Sequence, residues 1–173
     1  QSLPNPEKAL EESFWMYALA KEERGSMINI QIMSSCQLKC TFCRGSIGKD
    51  DLNNLKQKPI PIETFKLIVD KCTDGGVVYF ELTPAIGEPF LDNGLFEKLD
   101  YLESNDKVDI FLVTTNLLKI TDEQMEKLLR YKKLLFAISI YGFDEKSYSK
   151  NTGRDLFPVF MKNIKRLYSK LKD

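Results

Sequence analysis

The chain has 173 residues, 43% of them apolar and 29% charged, the balance of one compact folded domain, which excludes disorder as its main state. Its 25 Lys and Arg offset 25 Asp and Glu, so no overall field recruits nucleic acid or an anionic membrane surface, and neither partner is expected. No apolar run approaches the roughly 18 residues of a membrane span, no basic-then-apolar leader opens the chain, and Gln1 at the first position reads as a trimmed start, which leaves the cytoplasm as the expected compartment.

Asn5 followed by Pro6 is a capping side chain before a ring with preset φ, and Leu10, Phe14 and Ala18 continue one apolar face. This predicts a helix to about Lys21, within an N-terminal lead-in of 1–26 ahead of a core domain of 27–173. Over 27–33, Ile28, Ile30 and Ile32 alternate on one face of a strand, and Cys36, Cys40 and Cys43 follow directly. After Pro59 and Pro61, the residues Phe65, Ile68, Val69 and Cys72 recur at helical spacing until Gly75 and Gly76 stop the helix, which sets Cys72 on its buried face. The apolar run 77–82 reads as a second strand ending in Thr83-Pro84-Ala85-Ile86-Gly87-Glu88-Pro89, and Leu95, Leu99 and Leu102 mark the next helix. The pattern repeats with a strand over 108–113, the turn Thr114-Thr115-Asn116, and a helix opened by a Thr121/Gln124 capping box with Ile120 and Met125 as its staple. A fourth strand is expected over 134–140, then a loop rich in Gly, Asn, Asp and Ser. Phe157, Phe160, Ile164, Leu167 and Leu171 trace a last helical stripe, with Lys162, Lys165, Arg166, Lys170 and Lys172 as its solvated face.

Strands recurring every ~30 residues with helices between them suit a parallel sheet with right-handed crossovers. Polar residues follow each strand end, where barrel-like α/β folds place their active sites, so a partial (βα) TIM-like barrel is favoured over a doubly wound sheet. Four strands cannot close a barrel, and further strands are expected beyond this chain.

His is absent and only four Cys are present. Imidazole-based nucleophile systems and His-ligated zinc are thereby excluded. Nothing marks the chain as secreted, so Cys36, Cys40 and Cys43 read as thiolate ligands on one loop, close enough to converge on an inorganic centre. Zinc would want a fourth protein ligand, and Cys72 is committed to a helix. A [4Fe-4S] cluster held by three Cys keeps one iron open for an external ligand, a catalytic arrangement. Beside it stands a non-catalytic zinc- or cluster-stabilised binding module.

Three Cys at x3, x2 spacing after the first strand resemble the signature of the radical S-adenosylmethionine (radical SAM) enzymes, whose core is a partial (βα)6 barrel. The resemblance runs from the first strand to the chain's end and implies the first four βα units of that core, a [4Fe-4S] cluster on Cys36, Cys40 and Cys43, and SAM chelated to the open iron. It implies an oxidoreductase-type activity: an external donor reduces the cluster, SAM is cleaved, and a 5'-deoxyadenosyl radical takes hydrogen from the substrate. Phe42, before the last Cys, matches the aromatic near the SAM adenine, although a ring packed on the loop would leave the same mark. Ile86-Gly87-Glu88-Pro89 looks like the family's Gly-Gly-Glu-Pro segment, with Gly87 backbone and Glu88 toward the SAM ammonium and Ile86 departing from the first Gly. Asn116 is similar to the family's Thr-Asn after the third strand, or else closes its own turn. Ser139 looks like the fourth-strand residue that reaches SAM's ribose or carboxylate, or is a buried Ser bonded to backbone. Arg154 is a candidate carboxylate partner, or simply solvated. The 138–167 stretch resembles members with a SPASM or twitch domain, many of which act on peptides or proteins. The substrate itself, peptide, protein or small molecule, is unassigned.

Overall fold

A computed structural model describes residues 26–43, 58–82 and 86–172. The expected N-terminal helix lies outside them, as does the 1–26 lead-in except Ser26, which begins the first strand. Four parallel strands form one sheet: β1 (Ser26–Asn29), β2 (Val77–Glu81), β3 (Ile110–Thr115) and β4 (Leu134–Ile138), in the order β1-β2-β3-β4. Between and after them run α1 (Ile62–Asp74), a 3-10 turn (Pro89–Leu91), α2 (Leu95–Ser104), α3 (Asp122–Leu128), α4 (Glu145–Thr152) and α5 (Phe157–Lys170). A strand order that follows chain order winds always the same way, as in a barrel. A doubly wound sheet reverses order at a switch point, so the expected open, partial barrel is what forms.

The register carries the ladder from Tyr79 beside Ile110 to Thr115 beside Ile138. Along β3, Phe111, Val113 and Thr115 are the buried set, the period of two that a pleated strand requires. Phe111 and Val113 join one core with Phe65 and Val69 of α1, Leu99 and Leu102 of α2, Met125 and Leu128 of α3, and Phe160 and Leu167 of α5. The strand at 27–33 is regular only to Asn29, but the Ile30 amide donates to Glu81 O at 2.8 Å, and Ile30 and Ile32 stay buried on the expected side. β3 begins and ends two residues later than the apolar run indicated.

Helix ends follow local chemistry. Thr121 and Gln124 close the expected capping box on α3, and Ile120 and Met125 are both buried beside it. In α1 the buried positions are Phe65, Val69 and Thr73, and Cys72 is half-buried at the edge of the core. The loop expected after β4 is largely a helix: Asp144 and Ser147 form a capping box on α4, and Gly153 ends it with φ of 64°. Lys162 and Lys165 on α5 and Lys172 just beyond its end are exposed as expected, while Arg166 and Lys170 reach across to Asp122 and Glu126 of α3. Among the described residues no helix is long and apolar enough to cross a membrane.

Candidate functional site

The loop after β1 carries Cys36, Cys40 and Cys43, all free thiols. Its backbone is tied to α4: the Lys39 and Thr41 amides donate to Thr152 O (2.8 Å) and Asn151 O (3.0 Å), the open carbonyls of that helix's last turn. Cys43 N donates to Cys40 O at 3.1 Å, and Leu38 N points at Cys36 Sγ at 3.4 Å. Burial raises the Cys40 thiol to about 11, and charge on Cys36 or Cys43 would push it in the same direction. Cys36 is exposed by area, yet the atoms crowding its sulfur also raise it, with Glu88 and Cys43 adding repulsion. Cys36 and Cys40 therefore stay protonated unless a positive centre holds them as thiolates.

The second loop reaches this one through Gly87. Its φ is 124°, and a Cβ there would stand 2.3 Å from Met33 O, so no other residue lets the two chains lie this close. Ile86 replaces the first Gly of the family-like segment without preventing the approach. Glu88 N then donates to Ser35 O at 2.7 Å. The Glu88 carboxylate is 1% exposed; it accepts from Thr115 Oγ1 (2.5 Å), Asn116 N (2.9 Å) and Phe90 N (3.3 Å), joining the ends of β2 and β3. Burial still raises its pKa above the ordinary value, against the pull of these three donors.

Asn116 does two things at once. Its Oδ1 accepts from Leu118 N at 3.1 Å, closing the turn in which Leu117 takes φ of 61°, and also from Gln37 Nε2 at 2.8 Å; its Nδ2 faces Cys36 Sγ at 3.7 Å. Both readings of this residue meet in one side chain. Ser139 extends the ladder through its amide to Thr115 O (2.8 Å), and its side chain acts on the Tyr141 phenol, which burial raises. Phe42 is 57% exposed, its ring 5.7 Å from that of Tyr141. Arg154 is exposed. Cys36, Cys40, Cys43, Phe42, Gly87, Glu88 and Asn116 thus converge on one end of the sheet, with Ser139 joined through Tyr141.

Three participants escaped the sequence reading, Gln37, Thr115 and Tyr148, while Tyr141 falls with Ser139 in the polar end of the fourth strand. Thr115 stands in the turn from which only Asn116 was singled out. Tyr148 lies on the unforeseen α4, which the Asp144/Ser147 capping box could have revealed. Two open surface hollows, one against Asp100, Lys127 and Tyr131 and the other against Phe157, Met161 and Lys165, lie on the helices away from this loop.

The donor set fits an iron-sulfur cluster better than a single ion. Among the described residues no three His, Cys, Asp or Glu side chains are gathered to hold one metal ion, whereas a cubane takes each thiolate on a separate iron. Gln37 Oε1 and Tyr148 OH are buried there without hydrogen-bond partners among the described residues, polar atoms suited to face a bound polar group.

A family model for the radical SAM superfamily matches residues 30–173. The GTP 3',8-cyclase of Chlorobaculum tepidum is 28% identical over 140 residues, 81% of this chain and 40% of that enzyme. Among solved structures, native anSMEcpe with bound AdoMet superimposes with a TM-score of 0.65 at 24% identity over 84% of this chain and 41% of that one. Streptococcus suis SuiB bound to precursor peptide SuiA gives 0.63 at 22% identity over 96% of this chain and 36% of that one. At these identities the structural likeness speaks to the fold, and the chain spans about two-fifths of the length of each relative.

Proposed function

The chain belongs to the radical SAM superfamily, and we propose that Cys36, Cys40 and Cys43 hold a [4Fe-4S] cluster whose fourth iron takes SAM. When bound, the cluster, reduced by an external donor, would supply one electron to the sulfonium of SAM, giving methionine and a 5'-deoxyadenosyl radical that takes hydrogen from a substrate. The observation that carries the reading is the meeting of a loop bearing three free thiols with buried Glu88 and Asn116 from the next two strand ends.

Each residue has a task in this reading. The bonds from α4 to Lys39 and Thr41 hold the loop in shape, so the sulfurs need not be ordered when ligands bind. Gly87 admits the second loop against the first. Glu88 spends three of the roughly four acceptor sites of a carboxylate on Thr115, Asn116 and Phe90; the one left, on Oε2, is assigned to the SAM ammonium. A cation there would also reverse the upward shift of Glu88. Asn116 steadies Cys36 and the turn, Ser139 acts with Tyr141 toward the polar part of SAM, and the exposed Phe42 ring offers a face to its adenine.

For the substrate we favour a peptide or protein. SuiB and anSMEcpe are both structures solved with peptides, and exposed Ile140 and Phe143 follow β4 at the same end as Phe42. The cyclase likeness favours a nucleotide instead. 5'-deoxyadenosine formation under reductant by the reconstituted protein tests the activity: Cys36→Ala abolishes it if the reading is right, and equal yields from variant and wild type overturn it. Isotope transfer from labelled peptide or labelled GTP into 5'-deoxyadenosine decides between the substrates.

A further inference from the structure

Tyr148 is the largest fully buried side chain described, and its phenol oxygen has no hydrogen-bond partner among the described residues. Its placement is fixed from several sides. The backbone N–H donates to Asp144 O at 3.0 Å, and the carbonyl accepts from Thr152 Oγ1 at 2.7 Å. The ring stacks on Phe160 at 5.5 Å and meets Phe157 at 5.7 Å and Tyr141 at 6.5 Å. Gly142 lies so close that a Cβ on it would stand 2.4 Å from Tyr148 N. A Phe would fill the same aromatic stack, so packing does not account for the hydroxyl. The end of its helix binds both chain neighbours of Cys40, through Lys39 N to Thr152 O (2.8 Å) and Thr41 N to Asn151 O (3.0 Å), and Cys40 and Cys36 are among the groups that act on the phenol.

We propose that the Tyr148 hydroxyl donates a hydrogen bond to sulfur at the Cys40 corner of the cluster and thereby sets how readily the cluster accepts an electron. The inference rests on the cluster reading above. A phenol keeps its proton at neutral pH, so the oxygen acts as a donor. A thiolate or sulfide ligand supplies the acceptor that the side chain otherwise lacks, and the bond tightens as the cluster gains negative charge. Hydrogen bonds to cluster sulfur raise the reduction potential for that reason. The same α4 whose last carbonyls anchor the Cys loop thus also tunes what the loop holds.

The test compares wild type and Tyr148→Phe, both full chains reconstituted anaerobically with iron and sulfide, by potentiometric titration followed by electron paramagnetic resonance. The variant is expected to take up the same iron and to become harder to reduce, by three- to tenfold in the one-electron equilibrium, tenfold being about 59 mV. Cluster-free Tyr148→Phe is expected to unfold at the same or a higher denaturant concentration, because a buried hydroxyl without a partner has been removed. An unchanged potential in fully loaded variant overturns the proposal. So does a lower midpoint for the cluster-free variant, which would mean that the hydroxyl serves the protein fold. Wild type that takes up no iron and sulfide strikes instead at the cluster reading itself.

Discussion

On the helical outside of the sheet, Lys107 meets Asp74 at 2.6 Å with the side chains 63% and 68% exposed; beyond the Glu88 turn, Lys98 meets Asp92 at 2.7 Å with the side chains 2% and 1% exposed. The contacts are chemically alike, and their surroundings make them different devices. The outer pair belongs to a set that laces helix to helix: Lys127 to Asp100, Arg166 to Asp122 and Lys170 to Glu126. Water screens such pairs, and they add little. The inner pair belongs to a buried polar system in which Asp92 also receives Gly94 N and ends the 3-10 turn begun by Glu88. There a lost partner leaves a charge with no water to replace it. Polar groups near the Cys loop therefore fix geometry, whereas those on the shell mainly keep the surface soluble.

The largest expected effect breaks the inner pair. Lys98→Met leaves Asp92 buried beside an apolar chain and lowers the unfolding free energy by about 3–5 kcal/mol, while Lys107→Met leaves the denaturation midpoint unchanged. Urea titrations of the two variants side by side decide the matter, and equal midpoints would erase the distinction. Next comes a contrast of glycines. Gly87→Ala forces a Cβ into the Met33 carbonyl at a positive φ, costing about 3 kcal/mol from strain and overpacking. Gly75→Ala, at φ of −84° with Cys72 O 3.3 Å from the added Cβ, stays within about 1 kcal/mol of wild type. Iron uptake by Gly87→Ala should fall along with its thermal stability, since the loop it supports carries the thiols.

The two regions were unequally legible in the sequence. Strands announced themselves because β2, β3 and β4 are apolar runs bounded by polar turns, and the Cys spacing with Glu88 pointed to the site. The helix α4 did not, because its buried residues are only Tyr148 and Thr152; two positions one turn apart among charged and hydroxyl side chains leave no apolar stripe to detect. Its ends were written in capping chemistry instead, in Asp144, Ser147 and Gly153. Lys98 was hidden for a related reason. It shares the α2 face with Leu95, Leu99 and Leu102, and its burial depends on Asp92, six residues earlier and outside the helix. Thr115 and Gln37 became visible only when the fold brought β3 and the Cys loop together.

The smallest expected effect is a pair of opposite pH slopes in cluster-free protein. Asp74 is held below its usual range first by its hydrogen bond to Lys107, so whatever it contributes is present above its unfolded pKa of 3.8 and is lost as pH falls. Burial raises Glu88: the folded state keeps a proton that the unfolded state releases, so this contribution is full below 4.5 and is lost as pH rises through the folded value. The stability difference between wild type and Glu88→Gln should therefore move against wild type from pH 4.5 to 7, while Asp74→Asn should weaken only on the acid side. Parallel curves for wild type and Glu88→Gln would show that the Glu88 carboxyl is not desolvated.

The central claim concerns what three sulfurs hold, and metal content after anaerobic reconstitution measures it most directly. About four irons with matching sulfide per chain, lost together in Cys36→Ala, Cys40→Ala and Cys43→Ala and retained in Cys72→Ala, is the predicted result. One zinc per chain, with no sulfide and no reducible absorbance, would contradict it.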